Sequence, residues 1–125
     1  MNDSHAKKFQ KDLNAGLVAL VLLAVLAAND EDAYGYDIAK RLQPPEGGDP
    51  MFKEGTIYPV LRSLSASGWL SSRVVPSYSG PPRRYYRITE LGRDALTEWT
   101  ARWKVTRALV DACLGSPVAS MLPTT

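Results

Sequence analysis

The chain has 125 residues, of which 45% are hydrophobic and 22% charged, as is typical of one globular domain with a modest core and unlike a disordered chain. Its single cysteine, Cys113, excludes an intrachain disulfide and fits a reducing compartment. The net charge of +2 is uneven, because residues 55–89 carry +5 and no acid while the rest carries −3, which indicates either one anionic partner or a solvated basic surface. The arginines of this stretch are Arg62, Arg73, Arg83, Arg84 and Arg87.

The first predicted helix runs from about Lys7 to Ala28, after a flexible tail over residues 1–6. Its apolar residues recur at helical spacing and occupy much of the circumference. One small domain can hardly cover such a helix on every side, so we expect a second subunit to contribute to the cover. The apolar residues are Phe9, Leu13, Leu17, Leu20 and Leu23–Val25 in one stripe, widened by Val18, Leu22 and Leu26.

The uncharged residues 15–28 could form a membrane-spanning segment or part of an export signal. Its 14 residues fall short of the roughly 20 that span a bilayer. A secretory signal peptide is the alternative, because three lysines precede the run and small residues follow it. Asp3 and Asp12 lie in the would-be basic region and weigh against that alternative. We therefore expect a cytoplasmic protein without membrane contact.

The second helix is predicted from about Tyr34 to Gln43. Asn29, Asp30 and Asp32 break the first helix before it, and the proline pair at 44–45 ends it. Its inner face consists of Tyr34, Ile38, Ala39 and Leu42.

A loop over residues 46–53 leads to the third helix, which is predicted from Glu54 or Thr56 to Ser67 with Gly68 as its stop. If Thr56 is the N-cap, Pro59 lies in the first turn, where proline is tolerated. If the helix starts earlier, Pro59 removes one hydrogen bond. Its inner face consists of Ile57, Val60, Leu61 and Leu64.

Residues 69–75 and 84–89 are rich in β-formers, and they flank turn residues 76–82, which predicts a β-hairpin. The last helix runs from about Glu90 to Leu114, with Thr89 as N-cap and Gly115 and Pro117 closing it. This order is typical of a winged helix-turn-helix: mainly α with a small β-hairpin, and with N- and C-terminal dimerisation helices. We expect a DNA-binding domain over residues 7–88, a C-terminal dimerisation helix over 89–116 and a flexible tail over 117–125.

Three sequence blocks coincide with the second helix, the third helix and the hairpin. They are residues 34–42 (YGYDIAKRL), 53–64 (KEGTIYPVLRSL) and 80–92 (GPPRRYYRITELG). In this order they resemble the PadR family of bacterial transcriptional regulators, over about residues 13–110, and the short tail after Leu114 favours its short form. The resemblance implies a dimeric repressor with its third helix in the major groove and its wing along the flanking backbone. Family members often respond to small aromatic compounds bound near the dimer interface.

The residues themselves favour DNA contact at the third helix and the hairpin. Arg62 and Tyr58 project away from the apolar face, and arginine can bind guanine through two hydrogen bonds. Thr56 is either a contact or only a helix cap. Arg83 and Arg84 follow a proline-stiffened tip, where they either contact phosphate or keep a strand edge soluble. The candidate DNA-binding residues, including positions in or beside the matching blocks, are Tyr36, Lys53, Gly55, Thr56, Tyr58, Pro59, Arg62, Ser79, Arg83 and Arg84.

The last helix carries a heptad seam that predicts a dimer interface. Two tryptophans one turn apart are costly to leave in water. A sharper alternative is that Trp99 and Trp103 of the two subunits line a pocket for a small aromatic effector. The seam is Leu96, Trp99, Trp103, Thr106, Val110 and Cys113, and the predicted interface residues are Leu13, Leu17, Leu20, Leu96, Trp99, Trp103 and Val110.

The sequence offers no catalytic or cofactor site. Its only histidine, His5, is in the N-terminal tail, so a metal set or a Ser-His-Asp triad is not expected in the body of the chain. A winged helix that binds protein would expose apolar residues, not arginines, on its third helix and wing. We therefore predict a homodimeric regulator that binds a double-stranded DNA operator, without cofactor or metal; an enzyme is the least favoured class.

Overall fold

Four helices and three short strands make up the computed structural model, which describes residues 3–29, 31–44 and 52–115. In chain order the elements are α1 (Asp3–Ala27), β1 (Ala33–Tyr34), α2 (Gly35–Arg41), α3 (Glu54–Ala66), β2 (Leu70–Val75), β3 (Arg83–Ile88) and α4 (Glu90–Cys113). The strands form one antiparallel sheet in the order β1-β3-β2. The predicted winged helix fold is confirmed, and the β2–β3 hairpin is called the wing below.

The strand β1 was not predicted. It pairs Ala33 with Tyr86 and Tyr34 with Tyr85 of β3, so α2 begins at Gly35 and not at Tyr34. Tyr34 is extended, with φ −70° and ψ 132°, and it therefore lies on the sheet and not on the inner face of α2. Two residues are too few to show the alternation that marks a strand in sequence.

The helix α1 begins at Asp3, four residues before the predicted start at Lys7, so residues 3–6 are helical. An acid at the positive end of a helix is stabilising, although it adds nothing to an apolar pattern. The predicted tail over residues 117–125 and most of the loop over 46–53 lie outside the described residues.

The core is built around α1. Val18, Leu22, Leu23 and Leu26 are at most 1% exposed, so the three residues expected only to widen the apolar stripe face inward, together with Leu23 of the stripe itself. By length and composition, Ser4–Ala27 could cross a membrane. Only 22% of the most apolar stretch of this helix is buried inside the protein, so the core accounts for a minor part of that composition. The core is completed by Ile38 of α2, by Ile57, Leu61 and Leu64 of α3, and by Leu70, Tyr86 and Ile88 of the sheet.

The end of α3, the base of the wing and the start of α4 are in close backbone contact. Gly68, at φ +80°, ends α3 as predicted, because its left-handed backbone lets Trp69 N–H reach the carbonyl of Leu64 at 3.0 Å. Thr89 caps α4 by accepting a hydrogen bond from Gly92 N–H at 3.0 Å, as predicted. A side chain at Gly92 would collide with the carbonyl oxygen of Trp69, so only glycine allows α4 to pass this close to the wing.

Candidate nucleic-acid interface

The start of α3 decides between the two interpretations of Thr56. Lys53 is the N-cap, without a side-chain cap bond, and its carbonyl accepts from Thr56 N–H at 2.8 Å and from Ile57 N–H at 3.0 Å. Thr56 is therefore in the third helical position and does not cap the helix, so the capping alternative is wrong. Pro59 lies inside the helix, where it cannot donate to the carbonyl of Gly55, and the helix has one backbone bond fewer.

The helix α3 separates an apolar face from an exposed one. Ile57, Leu61 and Leu64 are buried, which fixes the rotation of the helix. A side chain at Gly55 would meet nothing within 4 Å, so the backbone there is open to a close approach. Thr56 and Tyr58 are partly buried at the boundary between the faces. The exposed predicted residues of this segment are Lys53, Gly55, Pro59 and Arg62.

The phenol side chains of Tyr58, on α3, and Tyr86, on β3, lie close together between α3 and the wing. Tyr58 packs close to Gly35, where a Cβ would lie 3.4 Å from Tyr58 Cε1 and 3.4 Å from Tyr86 Cε2. Burial raises the pKa of Tyr58, with a further rise from the carboxylate of Glu54, so its hydroxyl stays protonated and able to donate. Burial also raises the pKa of Tyr86, against the opposing effect of the Arg84 and Arg62 guanidinium groups. Tyr58, Tyr86 and the backbone of Arg84 thus meet around Gly35, which brings α3 next to the wing.

The wing presents Arg83 and Arg84 on opposite faces of β3, as the strand alternation predicts. Arg84 Nη1 donates to Ser72 Oγ at 3.2 Å, and the guanidinium of Arg83 lies 5.0 Å from the centre of the Tyr34 ring. Both arginines are exposed, and neither is in an ion pair within residues 3–29, 31–44 and 52–115. Ser79 is exposed in the turn before them.

The +5 charge of residues 55–89 is partly neutralised by the fold. Arg73 and Arg87, the other two wing arginines, both pair with Asp32, which lies outside this stretch. Sequence reasoning missed this contact because β1, which brings Asp32 to the wing, gives no sequence signal. Of the predicted DNA-binding residues, the cations that are in no ion pair within the described residues are Lys53, Arg62, Arg83 and Arg84.

A shallow pocket of about 470 Å³ between α2 and the start of α3 brings together Tyr36, Lys53 and Gly55 from the predicted set. It also holds Lys40, which the sequence analysis missed. Lys40 follows Tyr36 by four residues on α2, so helical spacing was the signal that could have found it. Glu54 also lines the pocket, so its two lysines leave a net charge of about +1 beside the helix start, where unpaired backbone N–H groups are suited to a phosphate group.

An apolar groove of about 770 Å³ lies between α1 and α4, on another part of the surface. Trp99 and Trp103 line it and are 45% and 38% exposed, which is much for side chains of their size. Leu96 does not line it but packs against the core. Trp69, which was not predicted, does line it. The predicted interface residues that line the groove are Leu13, Leu17, Leu20, Trp99, Trp103 and Val110.

Comparison with known proteins gives a consistent result. The family model described as "Transcriptional regulator PadR-like family" matches residues 22–98. A PadR family transcriptional regulator from Eggerthella lenta is 33% identical, over 90% of this chain and 94% of its own, with a TM-score of 0.67. A PadR-like transcription factor from Bacteroides fragilis is 32% identical, over 83% of this chain and 96% of its own, with a TM-score of 0.65. A transcriptional regulator of Mycobacterium tuberculosis is 54% identical over 46 residues, which are 35% of this chain and 40% of that protein.

Proposed function

The chain belongs to the PadR-like family of DNA-binding transcriptional regulators, and we propose that it is a cytoplasmic repressor that binds an inverted-repeat operator as a homodimer. In this proposal α3 lies in the major groove and the wing follows the flanking backbone. One observation carries the assignment. The start of α3 lies beside the wing, where Tyr58 and Tyr86 meet around Gly35, and the exposed Arg83 and Arg84 are in no ion pair within the described residues.

The residues of α3 would divide between base and backbone contacts. Arg62 is exposed on a helix held rigidly by its buried face, and its planar guanidinium matches the two acceptors of guanine in the major groove. Thr56 and Tyr58 add hydroxyls at the two opposite edges of the buried face, on either side of Ile57. Pro59 is exposed and has no polar group, so we assign it a van der Waals contact.

Residues on either side of α3 would contact the phosphates of the DNA backbone. The pocket formed by Tyr36, Lys53 and Gly55 offers a cation, a phenol and a helix start for one phosphate. Ser79, Arg83 and Arg84 would hold the next stretch of backbone through the wing. These contacts fix the register on the duplex but carry no sequence information.

The groove between α1 and α4 would be covered by a second copy of the chain. Its half-exposed tryptophans face Leu13, Leu17 and Leu20 of α1. A buried Trp side chain removes about 150–250 Å² from water, at roughly 25 cal/mol per Å². We therefore assign residues 89–116 to dimerisation, together with α1, and the rest of the body to DNA binding. Two-fold symmetry of the protein then requires a two-fold symmetric operator.

The same groove supports a second role, as the site of a small aromatic effector that releases the operator. Its volume of about 770 Å³ lies within the range of about 300–1,000 Å³ that ligand pockets occupy. Trp99 and Trp103 supply flat apolar surfaces, and a ligand between the subunits could change the spacing of the two α3 helices.

Selection of bound fragments from the source genome with purified protein tests the proposal. We expect enrichment of one or a few sites with an inverted repeat, whose half-sites are about one helical turn apart. A purified, folded protein that enriches no sequence, or only a single asymmetric site, would contradict it.

A further inference from the structure

One carboxylate holds two arginines of the wing. Asp32 lies between α1 and β1, and it accepts a hydrogen bond from Nε of Arg73 in β2. Its other oxygen, Oδ1, lies 3.7 Å from Nε of Arg87 in β3. The Asp32 side chain is 23% exposed, whereas those of Arg73 and Arg87 are 63% and 53% exposed. The acid is therefore held against the sheet, and the arginines reach it from a surface open to solvent.

Arg73 and Arg87 lie on the same face of the wing as Arg83, which is near its tip. The β2–β3 register sets Val75 opposite Arg83, Arg73 opposite Tyr85, and Ser71 opposite Arg87. These positions share the face of the sheet that points away from the buried Tyr86 and Ile88. Each step of two residues along a strand is about 7 Å. Three arginines thus lie along one face, and the inner two share the single negative charge of Asp32.

We propose that Asp32 occupies the place of a DNA phosphate on this face and thereby limits the affinity of the wing for the DNA backbone. Sequence-independent affinity arises when Lys and Arg neutralise phosphates and release condensed counterions. Arg73 and Arg87 share one carboxylate, which cancels one of their two charges, so together they attract a phosphate less strongly than two unpaired arginines would. The backbone affinity of the wing is left mainly to Arg83 and Arg84. The inference rests on the proposed DNA binding and adds a residue that weakens it.

The test is a salt titration of binding to random-sequence duplex DNA by the dimer carrying Asp32→Asn. Each released arginine that contacts a phosphate should steepen the slope of log affinity against log salt by about 0.9 per subunit. At 0.05 M salt this is about a tenfold gain for each arginine, if the contact contributes nothing at 1 M salt. Glu31→Gln is the matched control, since Glu31 is exposed, is adjacent to Asp32 and forms no ion pair with another described residue. It should leave the slope nearly unchanged.

A merely structural role for Asp32 gives the opposite result. Loss of a brace would loosen the wing and lower the affinity, so an unchanged or shallower slope in a folded Asp32→Asn protein would overturn the proposal. An equal steepening in Glu31→Gln would overturn it too, because general charge would then suffice. Adding Arg73→Gln and Arg87→Gln to Asp32→Asn should return the slope to that of the wild type.

A second variant keeps the test decisive if Asp32→Asn does not fold. With Asp32 intact, Arg73→Gln alone should leave the slope nearly unchanged, because Arg73 is hydrogen-bonded to Asp32 and therefore releases few counterions. A slope shallower by about 0.9 per subunit would show that Arg73 already contacts phosphate, against the proposal. Failure of the proposed function is a distinct result, in which the wild type binds no DNA at low salt.

Discussion

Replacing both exposed arginines of the wing, Arg83 and Arg84, by alanine should weaken binding to all DNA sequences alike. Neither is in an ion pair within the described part of the chain, and they lie on opposite faces of β3, so one or both can reach a phosphate. Each contact contributes about 0.9 to the slope of log affinity against log salt. The double variant should therefore flatten the slope by about one to two per subunit.

The size of the effect follows from that slope. Between 50 and 200 mM salt, one phosphate contact changes the affinity by about 3.5-fold, and four contacts in a dimer change it by about 150-fold. The wild type should therefore lose up to about 150-fold more affinity than the variant over this range. Folding should barely change, because exposed arginines contribute little to stability.

The assay is a fluorescence-anisotropy titration with operator and random duplexes at several salt concentrations, with thermal melts as the folding check. Lys7→Ala with Lys104→Ala removes the same charge from exposed positions on α1 and α4 and is the control. An unchanged slope in the Arg83 and Arg84 variant would refute the reasoning, and the wing would then lie away from the backbone. A loss confined to the operator would also refute it, since it would make the wing a reader of bases.

Three further predictions concern the interface, the reading helix and the fold. Light scattering at micromolar concentration should give twice 13.7 kDa for the wild type and the monomer mass for Trp103→Glu, which puts a charge in the apolar groove; a well-folded wild-type monomer would exclude the dimer. Arg62→Ala should reduce the preference for operator over random DNA by about 1–3 kcal/mol, and an equal loss on all sequences would mean that α3 is not the reader. Gly92→Ala should lower stability by at least about 2 kcal/mol and Tm by about 10 °C, because its Cβ collides with the Trp69 carbonyl. Gly55→Ala, whose Cβ meets nothing within 4 Å, is the matched control in the same melts.

The helices were predictable because their signals are local. Thr89 caps α4 and Gly68 ends α3 where the sequence places them, since both rules depend on neighbours a few residues away. The apolar spacing of α3 likewise predicted its buried face. The start of α3 was left open because its N-cap, Lys53, offers no side-chain cap from which to recognise it.

The pairing of Asp32 with the wing could not be predicted, because it depends on a contact between distant segments. Tyr34 pairs with Tyr85, about fifty residues later in the chain, over a strand of only two residues. Such a strand has no period, so neither β1 nor the ion pairs of Asp32 left a signal. The charge of residues 55–89 therefore overstated the net positive charge of this surface, because the sequence does not show that Arg73 and Arg87 pair with Asp32. Heptad spacing likewise does not distinguish a core contact from a subunit contact, and Leu96 of the predicted seam packs against the core.

The central claim is that α3 and the wing form one DNA-binding surface, presented twice by a symmetric dimer. A hydroxyl-radical footprint on the selected operator tests it most directly, because the radicals report backbone protection at each nucleotide. We predict two symmetric protected stretches with centres about 34 Å apart, one helical turn, each extending outward over the backbone that the wing contacts. A single protected stretch, or protection without two-fold symmetry at saturating protein, would contradict the account.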